Sequence, residues 1–397
     1  MAKQAKYDRS DIRRLNGISV LDQLRRNGPM SRANIAAQLG LTRATVSNIV
    51  AEFIEASLIL ETEYVGGAAG RPGLMLNLNA NYGSMIAVEL ELDRISLLLT
   101  NVGQEELWSE QVPVAPDLPP EETLALAEGL LSQAFKVSQE RKLKCYGVGV
   151  ALAGLVNREV GQLAYGPTSG WEQIPLKEQW ENQFKVPVYL ENAAHAGALG
   201  VYHFGAARGK KNIVYLSMGV GLAAGIFCDG RLLHGKQGFA GQVGYTRFSD
   251  NNIASSSGKQ GAWVTEIGAA AVARKLVAAG VELPDPQAAG MEWMEVAMEL
   301  ARQQDATAIK VLNEVGRQVG QGMANLVLTF NPSMLIVGGR MGALMKFAES
   351  GMRAGVMEDV LPYMKENLEL VVSDAGDEQL QGCLATVFDF LMKNPEL

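Results

Sequence analysis
Apolar strands that end on glycine and run into helices occur twice along this chain. In the first run, 85–90 and 95–100 read as strands joined by a turn, and a helix is expected over 120–140. A buried strand over 146–151 then ends in a loop at Gly154, and a strand over 186–190 leads into a small-residue helix opening at Glu191-Asn192-Ala193-Ala194-His195-Ala196. The second run begins at 213–218 and closes on Gly219-Val220-Gly221. Helices are expected over 264–279, 291–302 and 306–330, with a late strand over 335–339 and a terminal helix over 379–392. Strands alternating with helices, twice over, imply two α/β lobes with a cleft between them. The length of 397 residues agrees, being too long for one ordinary core.

Composition narrows the class. With 48% hydrophobic and 20% charged residues, wholesale disorder is excluded. No run of about 18 apolar residues marks a membrane span, and no apolar segment follows the first residues as a signal peptide would require. Cys145, Cys228 and Cys383 are isolated and odd in number, which points to a reducing cytoplasm. The three histidines are not spaced as paired ligands, so no metal and no cofactor is expected; His195 and Glu266 read as surface or loop residues.

Charge is uneven. Residues 1–50 carry nine Lys or Arg against three acids, a net +6, so the remainder of this −8 chain carries −14. A basic head on an acidic body suits a polyanionic partner. The head also has a specific pattern. Ile12, Leu15, Ile18, Leu21 and Leu24 give a helix over 11–27 one buried face, and Gly28-Pro29 stops it. Ser31 caps a short helix over 32–39, Gly40 turns the chain, and Thr42 or Arg43 opens a third helix to about residue 56. Ala36, Gly40 and Val46 supply the small contact residue, the left-handed turn and the closing apolar residue that steeply crossing helices need. The third helix then presents Arg43, Ala44, Thr45, Ser47 and Asn48, side chains suited to base edges and phosphates, with Ser31, Arg32 and Thr42 beside them. Two strands, 58–61 and 74–78, flank a glycine-rich wing, 66–73, that carries Arg71 toward phosphate or a minor groove. The head therefore reads as a winged helix-turn-helix for double-stranded DNA, against the plainer reading of a protein-interaction module.

The ordered set of glycine motifs resembles the ROK family, repressors and sugar kinases that share an actin/hexokinase-like body. It comprises Gly219-Val220-Gly221 through Asp229-Gly230-Arg231, Gly235, Gly238, Gly241 and Gly244, with Gly147-Val148-Gly149, Gly170-Trp171, Glu191-Asn192, Asn331-Pro332 and Gly338-Gly339. The resemblance runs from Arg14 to about Met392, and the head, with Ser31-Arg32, 40–47 and Gly70-Arg71-Pro72, is similar to the repressor branch. The implied fold is an N-terminal winged helix-turn-helix plus a two-lobed α/β actin/hexokinase-like body. The implied units are 1–77, the DNA-binding domain; 83–200, the first lobe, with a helix over 379–393 returning to it; and 201–378, the second lobe with dimerisation helices.

Set against that family, the chemistry of a kinase is missing. The base that follows Glu-Asn in family kinases is here Ala193, which cannot take a proton. The glycine-rich phosphate turn is replaced by Glu89-Leu90-Glu91-Leu92-Asp93, whose carboxylates would repel a triphosphate. The family's zinc ligands fall, counted without gaps, on Tyr245, Ser255, Ser257 and Ala262. Its sugar-binding acids become Gln242 and Val264, and its His becomes Tyr245, while Asn192 remains. Asn192, Gln242 and Tyr245 are therefore the groups left to grip an uncharged effector, unless the pocket has become plain core.

The expected function is a DNA-binding regulator, a repressor, whose body senses a sugar-like small molecule or a partner without phosphorylating it. It would bind a palindromic operator as a homodimer or tetramer. The alternatives are an inactive scaffold controlled by a protein partner and, last, an active sugar kinase.

Overall fold
The computed structural model describes residues 9–63, 74–115, 118–166, 170–284 and 291–393. The head begins with α1 (Arg9–Asn27), β1 (Met30–Ser31), α2 (Arg32–Leu39) and α3 (Arg43–Glu55), followed by β2 (Ile59–Glu63) and β3 (Leu74–Leu78). Val20, Leu21 and Leu24 of α1 meet Ile35 and Ala36 of α2 and Val46, Ile49, Val50 and Phe53 of α3 in one buried cluster. Gly40 sits at φ 64°, and the Leu41 N–H reaches Ala36 O at 3.0 Å, so the turn between the helices needs a residue free to be left-handed. The expected apolar face of α1 holds only in part. Ile12 and Leu15 are 50% and 44% exposed. α3 packs on α1 at Gly17, beside the Phe53 ring, and one turn earlier α1 meets α3 through the polar pair Arg13–Glu52. Sequence reading also missed β1, which pairs with β3 and makes a three-stranded sheet in the order β1-β3-β2. The wing and Arg71 lie outside the described residues.

The first lobe contains β4 (Ser84–Leu90), β5 (Arg94–Asn101), β6 (Glu106–Pro113), α4 (Pro120–Glu140), β7 (Cys145–Leu152), β8 (Leu155–Asn157), β9 (Gln162–Tyr165), β10 (Glu172–Ile174), α5 (Leu176–Phe184), β11 (Val188–Asn192) and α6 (Ala193–His203). The second contains β12 (Ile213–Met218), β13 (Leu222–Cys228), β14 (Arg231–Leu232), α7 (Val264–Ile267), α8 (Ala269–Ala278), α9 (Trp293–Arg302), α10 (Ala306–Phe330), β15 (Met334–Gly338), α11 (Gly342–Met345), α12 (Glu349–Asp359), α13 (Pro362–Lys365) and β16 (Glu369–Val372). The last helix is α14 (Glu378–Lys393).

The two main sheets share one plan. Their orders are β11-β7-β4-β5-β6 and β16-β15-β12-β13-β14. In each, an antiparallel run (β4-β5-β6, β12-β13-β14) adjoins two parallel additions. All seven residues of β4 are buried, as a central strand covered on both faces requires. The helix expected over 264–279 is two helices, α7 and α8. At Gly268, ψ swings to 168°, and an added Cβ would stand 2.7 Å from Val264 O.

α14 packs on β4 and β7 of the first sheet, and α6 lies against α14 on one side and β12 and β13 on the other. The crossing of α6 and α14 is close because both helices are bare where they touch. A Cβ on Gly382 would lie 1.8 Å from Ala196 O, and one on Gly200 would lie 2.0 Å from Glu378 O. The head core is continuous with the α14 face of the first sheet, sharing one apolar cluster that runs from Val20 to Met392. Among the described residues, no helix is long and apolar enough to cross a membrane.

Candidate functional site
The head presents its polar residues where the caps place them. Ser31 caps α2 by accepting from the Asn34 N–H at 3.2 Å. Thr42 caps α3, its Oγ1 accepting from the Thr45 N–H at 3.1 Å and lying 2.8 Å from Thr45 Oγ1. Val46, Ile49 and Val50 bury the inner face of α3, which leaves Thr42, Arg43, Ala44 and Asn48 exposed, with Thr45 and Ser47 half-buried beside them. Arg32 stands differently from the rest: it pairs with Glu61 on β2, so its charge is partly answered within the head.

The body holds a polar cluster at the meeting of the lobes. Glu191, at the end of β11, is 2% exposed. Its Oε1 lies 3.2 Å from His195 Nδ1 and accepts from the Asn192 N–H at 3.2 Å. Its Oε2 lies 3.1 Å from Arg158 Nε and 3.4 Å from His234 Nε2. His234 follows β14 in the second lobe, so the cluster spans both lobes. Burial alone would raise the Glu191 carboxyl, but hydrogen bonds from His195 and His234 and the Arg158 charge override it and hold the group down at about 2. His195 is fully buried on the first turn of α6, not a surface or loop residue, and its Nε2 is 3.0 Å from Ala240 O. Both ring nitrogens thus face oxygen atoms, Glu191 Oε1 on one side and Ala240 O on the other. Glu266 is also held rather than free: it accepts from Ser249 Oγ at 2.7 Å.

Among the described residues, Glu191, His195 and His234 bring three ligand-type atoms within 4.8 Å of one another, a set that could hold a metal ion. Arg158 competes for that place. Its Nε bonds Glu191 and its Nη1 abuts His234 Nε2, so the cation between these groups is a guanidinium.

The three expected effector residues are in different situations. Asn192 is 4% exposed and caps α6: its Nδ2 donates to Gly154 O at 2.7 Å and its Oδ1 accepts from the Ala194 N–H at 2.9 Å. Gln242 and Tyr245 sit at the one-turn helix that follows the Ala240 loop, both half-buried. The Tyr245 hydroxyl is turned onto Ser256 Oγ at 3.0 Å, and Ser255 and Ser257 bond each other at 2.9 Å. Neutral hydroxyls and the Ala262 methyl do not fit a zinc ion at this loop.

The acidic segment at the end of β4 is also closed. Glu89 is 1% exposed, and burial, then the neighbouring Glu91, push its carboxyl well above the usual carboxylate range. Asp93 is paired at 3.1 Å with Arg340, which follows β15 in the other lobe, 247 residues away. Arg94 pairs with Glu91. Two arginines therefore answer part of the charge that the sequence alone left bare. The segment has no glycine to admit a phosphate, and the residues do not fit a nucleotide. Ala193 opens α6 where a kinase of the resembled family carries its base.

Sequence reading missed Arg158, His234 and the cluster around Glu191. The one local signal was Glu191 and His195 four residues apart, the spacing of neighbours on a helix. Nothing local pointed to Arg158 or His234.

The description "ROK family" matches residues 85–388, and "winged helix-turn-helix DNA-binding" matches residues 14–59. A xylose repressor from Caldicellulosiruptor bescii is 30% identical over 97% of this chain and 98% of its own. A crystal structure of a ROK family transcriptional regulator, a homologue of the Escherichia coli MLC protein, superposes with a TM-score of 0.77, covering 96% of this chain and 98% of that one at 24% identity. A ROK family glucokinase from Streptomyces griseus, solved with glucose and AMPPNP, superposes with a TM-score of 0.66, covering 77% of this chain and 99% of that one at 25% identity.

Proposed function
The chain belongs to the ROK family and opens with a winged helix-turn-helix, and from that premise we propose that it is a DNA-binding transcriptional repressor whose body senses a neutral small molecule without phosphorylating it. The observation that carries the DNA reading is the outer face of α3, where Thr42, Arg43, Ala44 and Asn48 stand exposed on a helix whose other face is locked into the core. One recognition helix covers only a few base pairs, so two heads on a homodimer supply the affinity and call for a palindromic site. Ser31, Arg32, Thr45, Ser47 and the wing residue Arg71 complete the proposed interface. The working units are 1–77, then 83–200 with 379–393, then 201–378, and the protein acts in the cytoplasm.

For the effector, the proposed site is the cleft between the lobes, gripped by Gln242 and Tyr245 next to the Glu191 cluster. A neutral sugar is the class this reading favours, since relatives are named for repressing xylose or N-acetylglucosamine functions. Asn192 acts as the cap that fixes α6 more than as a free ligand group, because its amide is already engaged. α6 is the natural transmitter. It starts at Glu191, Asn192 and His195 in the cleft and ends at His203, which touches Arg25 and Arg26 of the head. A ligand that changes the cleft shifts the head only through a difference in affinity between the two arrangements.

Selection of bound duplex from a random library with purified protein tests the reading. A palindromic consensus is expected. No retention at low salt would refute DNA binding. Thermal shift against xylose and other neutral sugars, repeated in Gln242→Ala and Tyr245→Phe, tests the cleft. A sugar that stabilises all three proteins alike binds elsewhere.

A further inference from the structure
The Glu191 cluster has a chemistry beyond its ion pair with Arg158. One atom each of Glu191, His195 and His234 lies within 4.8 Å of the other two. Two imidazoles and one carboxylate are a donor set that zinc and neighbouring transition metals take, whereas magnesium and calcium prefer oxygen alone. Glu191 and His195 stand where β11 runs into α6, and His234 follows β14, so the three come from both lobes.

The donors are already aimed. An arginine can only donate, so Arg158 Nη1 meets His234 at the lone pair of Nε2, and Arg158 Nε meets a lone pair of Glu191 Oε2 at 3.1 Å. The guanidinium is thus held by the same two lone pairs that a metal would take. Ala240 O can only accept, so the His195 Nε2–H is fixed on it at 3.0 Å, and Nδ1 faces Glu191 Oε1 at 3.2 Å. A histidine whose outer N–H is tied to a backbone carbonyl has the frame of a metal ligand, because that bond sets the tautomer and the ring. The Asn192 N–H steadies Glu191 Oε1 in the same way at 3.2 Å. Spacing agrees as well. With bonds of about 2.0–2.1 Å, a tetrahedral ion keeps its ligand atoms about 3.4 Å apart. Glu191 Oε1 and His195 Nδ1 are 3.2 Å apart, and Glu191 Oε2 and His234 Nε2 are 3.4 Å apart.

An ion also has a way in. Glu191 and His195 are buried, but the Arg158 and His234 side chains are 37% and 29% exposed. Arg158 stands on the turn between β8 and β9 and can swing its charge out to water. Its departure leaves no bare buried carboxylate, because the incoming ion answers Glu191.

We propose that Glu191, His195 and His234 form a site for a divalent transition metal of the zinc class, which displaces Arg158 and leaves a fourth position to water. The site is distinct from the loop over 245–262 where the resembled family carries its zinc ligands, and it does not depend on a sugar binding beside it. Because the ligands come from both lobes, the bound ion favours the arrangement in which the lobes meet as here.

Co²⁺ is the probe, since its visible absorption reports four-coordination. Chelator-treated full-length protein titrated with Co²⁺ is expected to develop that band. Arg158→Ala removes the competitor and should tighten Co²⁺ binding about tenfold, the worth of a hydrogen bond to a charged group. His234→Ala changes a partly exposed residue outside the sheets, so the fold is kept, and it should abolish the band. A wild type without the band overturns the proposal, whatever the variants show. A band that survives His234→Ala overturns it too, because the ion then lies elsewhere. Equal affinity in wild type and Arg158→Ala overturns the exchange with the guanidinium.

Discussion

Arg25 Nη2 lies 2.7 Å from His203 Nδ1, joining the last turn of α1 in the head to the last turn of α6 in the body. The guanidinium is 1% exposed along its side chain. It lies 4.9 Å from the centre of the Phe388 ring and 5.7 Å from that of Phe204, and Arg26 lies 5.0 Å from that of Tyr202. The head is therefore held by charge, aromatic faces and a shared apolar core together, not by a flexible tether. Any change in α6 must be felt by α1, because the glycine crossing of α6 with α14 leaves no slack to absorb it.

This junction should be acid-sensitive. Burial, then the Arg25 and Arg26 charges, push the His203 imidazole well below its usual range. In the unfolded chain the group titrates near about 6.5. Below that pH the unfolded state takes up a proton that the folded state refuses, so stability falls as pH falls until the depressed folded value is reached. Between about pH 7.5 and about pH 5.5 this one group therefore lowers stability as pH falls. Urea unfolding at both pH values should show His203→Gln losing less stability than wild type over that interval. Equal losses would remove His203 from the account.

Glu191 acts in the other direction along the pH scale. Its folded value of about 2 lies below the unfolded value, so it contributes stability above about pH 4.3 and loses that contribution as pH falls toward 2. Glu191→Gln removes the buried anion that Arg158, His195 and His234 face; because the Arg158 side chain is 37% exposed and water can answer part of its charge, the cost at neutral pH should be about 1–3 kcal/mol. The lost stability should be largest at neutral pH and shrink on acidification. If Arg158 holds the site, a chelator leaves the melting temperature of the wild type unchanged. A melting temperature that drops on chelation and recovers with added Zn²⁺ would assign the cluster to a metal.

Arg43→Ala should weaken operator binding at every salt concentration. If its guanidinium reads a guanine, the cost is about 1–3 kcal/mol with relaxed preference at one position; if it meets a phosphate, the slope of log affinity on log salt falls by about 1. Fluorescence anisotropy over a salt series separates the two. An unchanged affinity and slope would take Arg43 out of the interface.

No phosphoryl transfer to hexoses or pentoses is expected. Proton abstraction needs a base, and Ala193 offers a methyl where family kinases place theirs. A coupled ADP-release assay should stay at background for wild type and for Asn192→Ala alike. Turnover that depends on Asn192 would overturn this.

Much of the architecture was legible in the linear chain because its signals are local. Ser31, Gly40 and Thr42 announce the ends of short helices through side-chain caps and one left-handed turn, and the chain uses them so. The glycine-ended apolar strands announce two α/β lobes, since a strand covered on both faces has to be apolar throughout. Ala193 and the hydroxyls at 255–257 likewise state on their own that kinase and zinc chemistry lack their donors. Other features depend on where distant segments meet. Ile12 and Leu15 keep the periodicity of a buried face yet stand exposed, while Arg13 between them meets Glu52 of α3; periodicity does not say which residues a partner helix will cover. Arg340 meets Asp93 across 247 positions, and Arg25 meets His203 across 178. His195 looked like an isolated polar residue until Glu191, Arg158, His234 and Ala240 gathered around it. A buried charge is tolerable only beside its partner, and the chain alone does not reveal which remote residue folding will bring there.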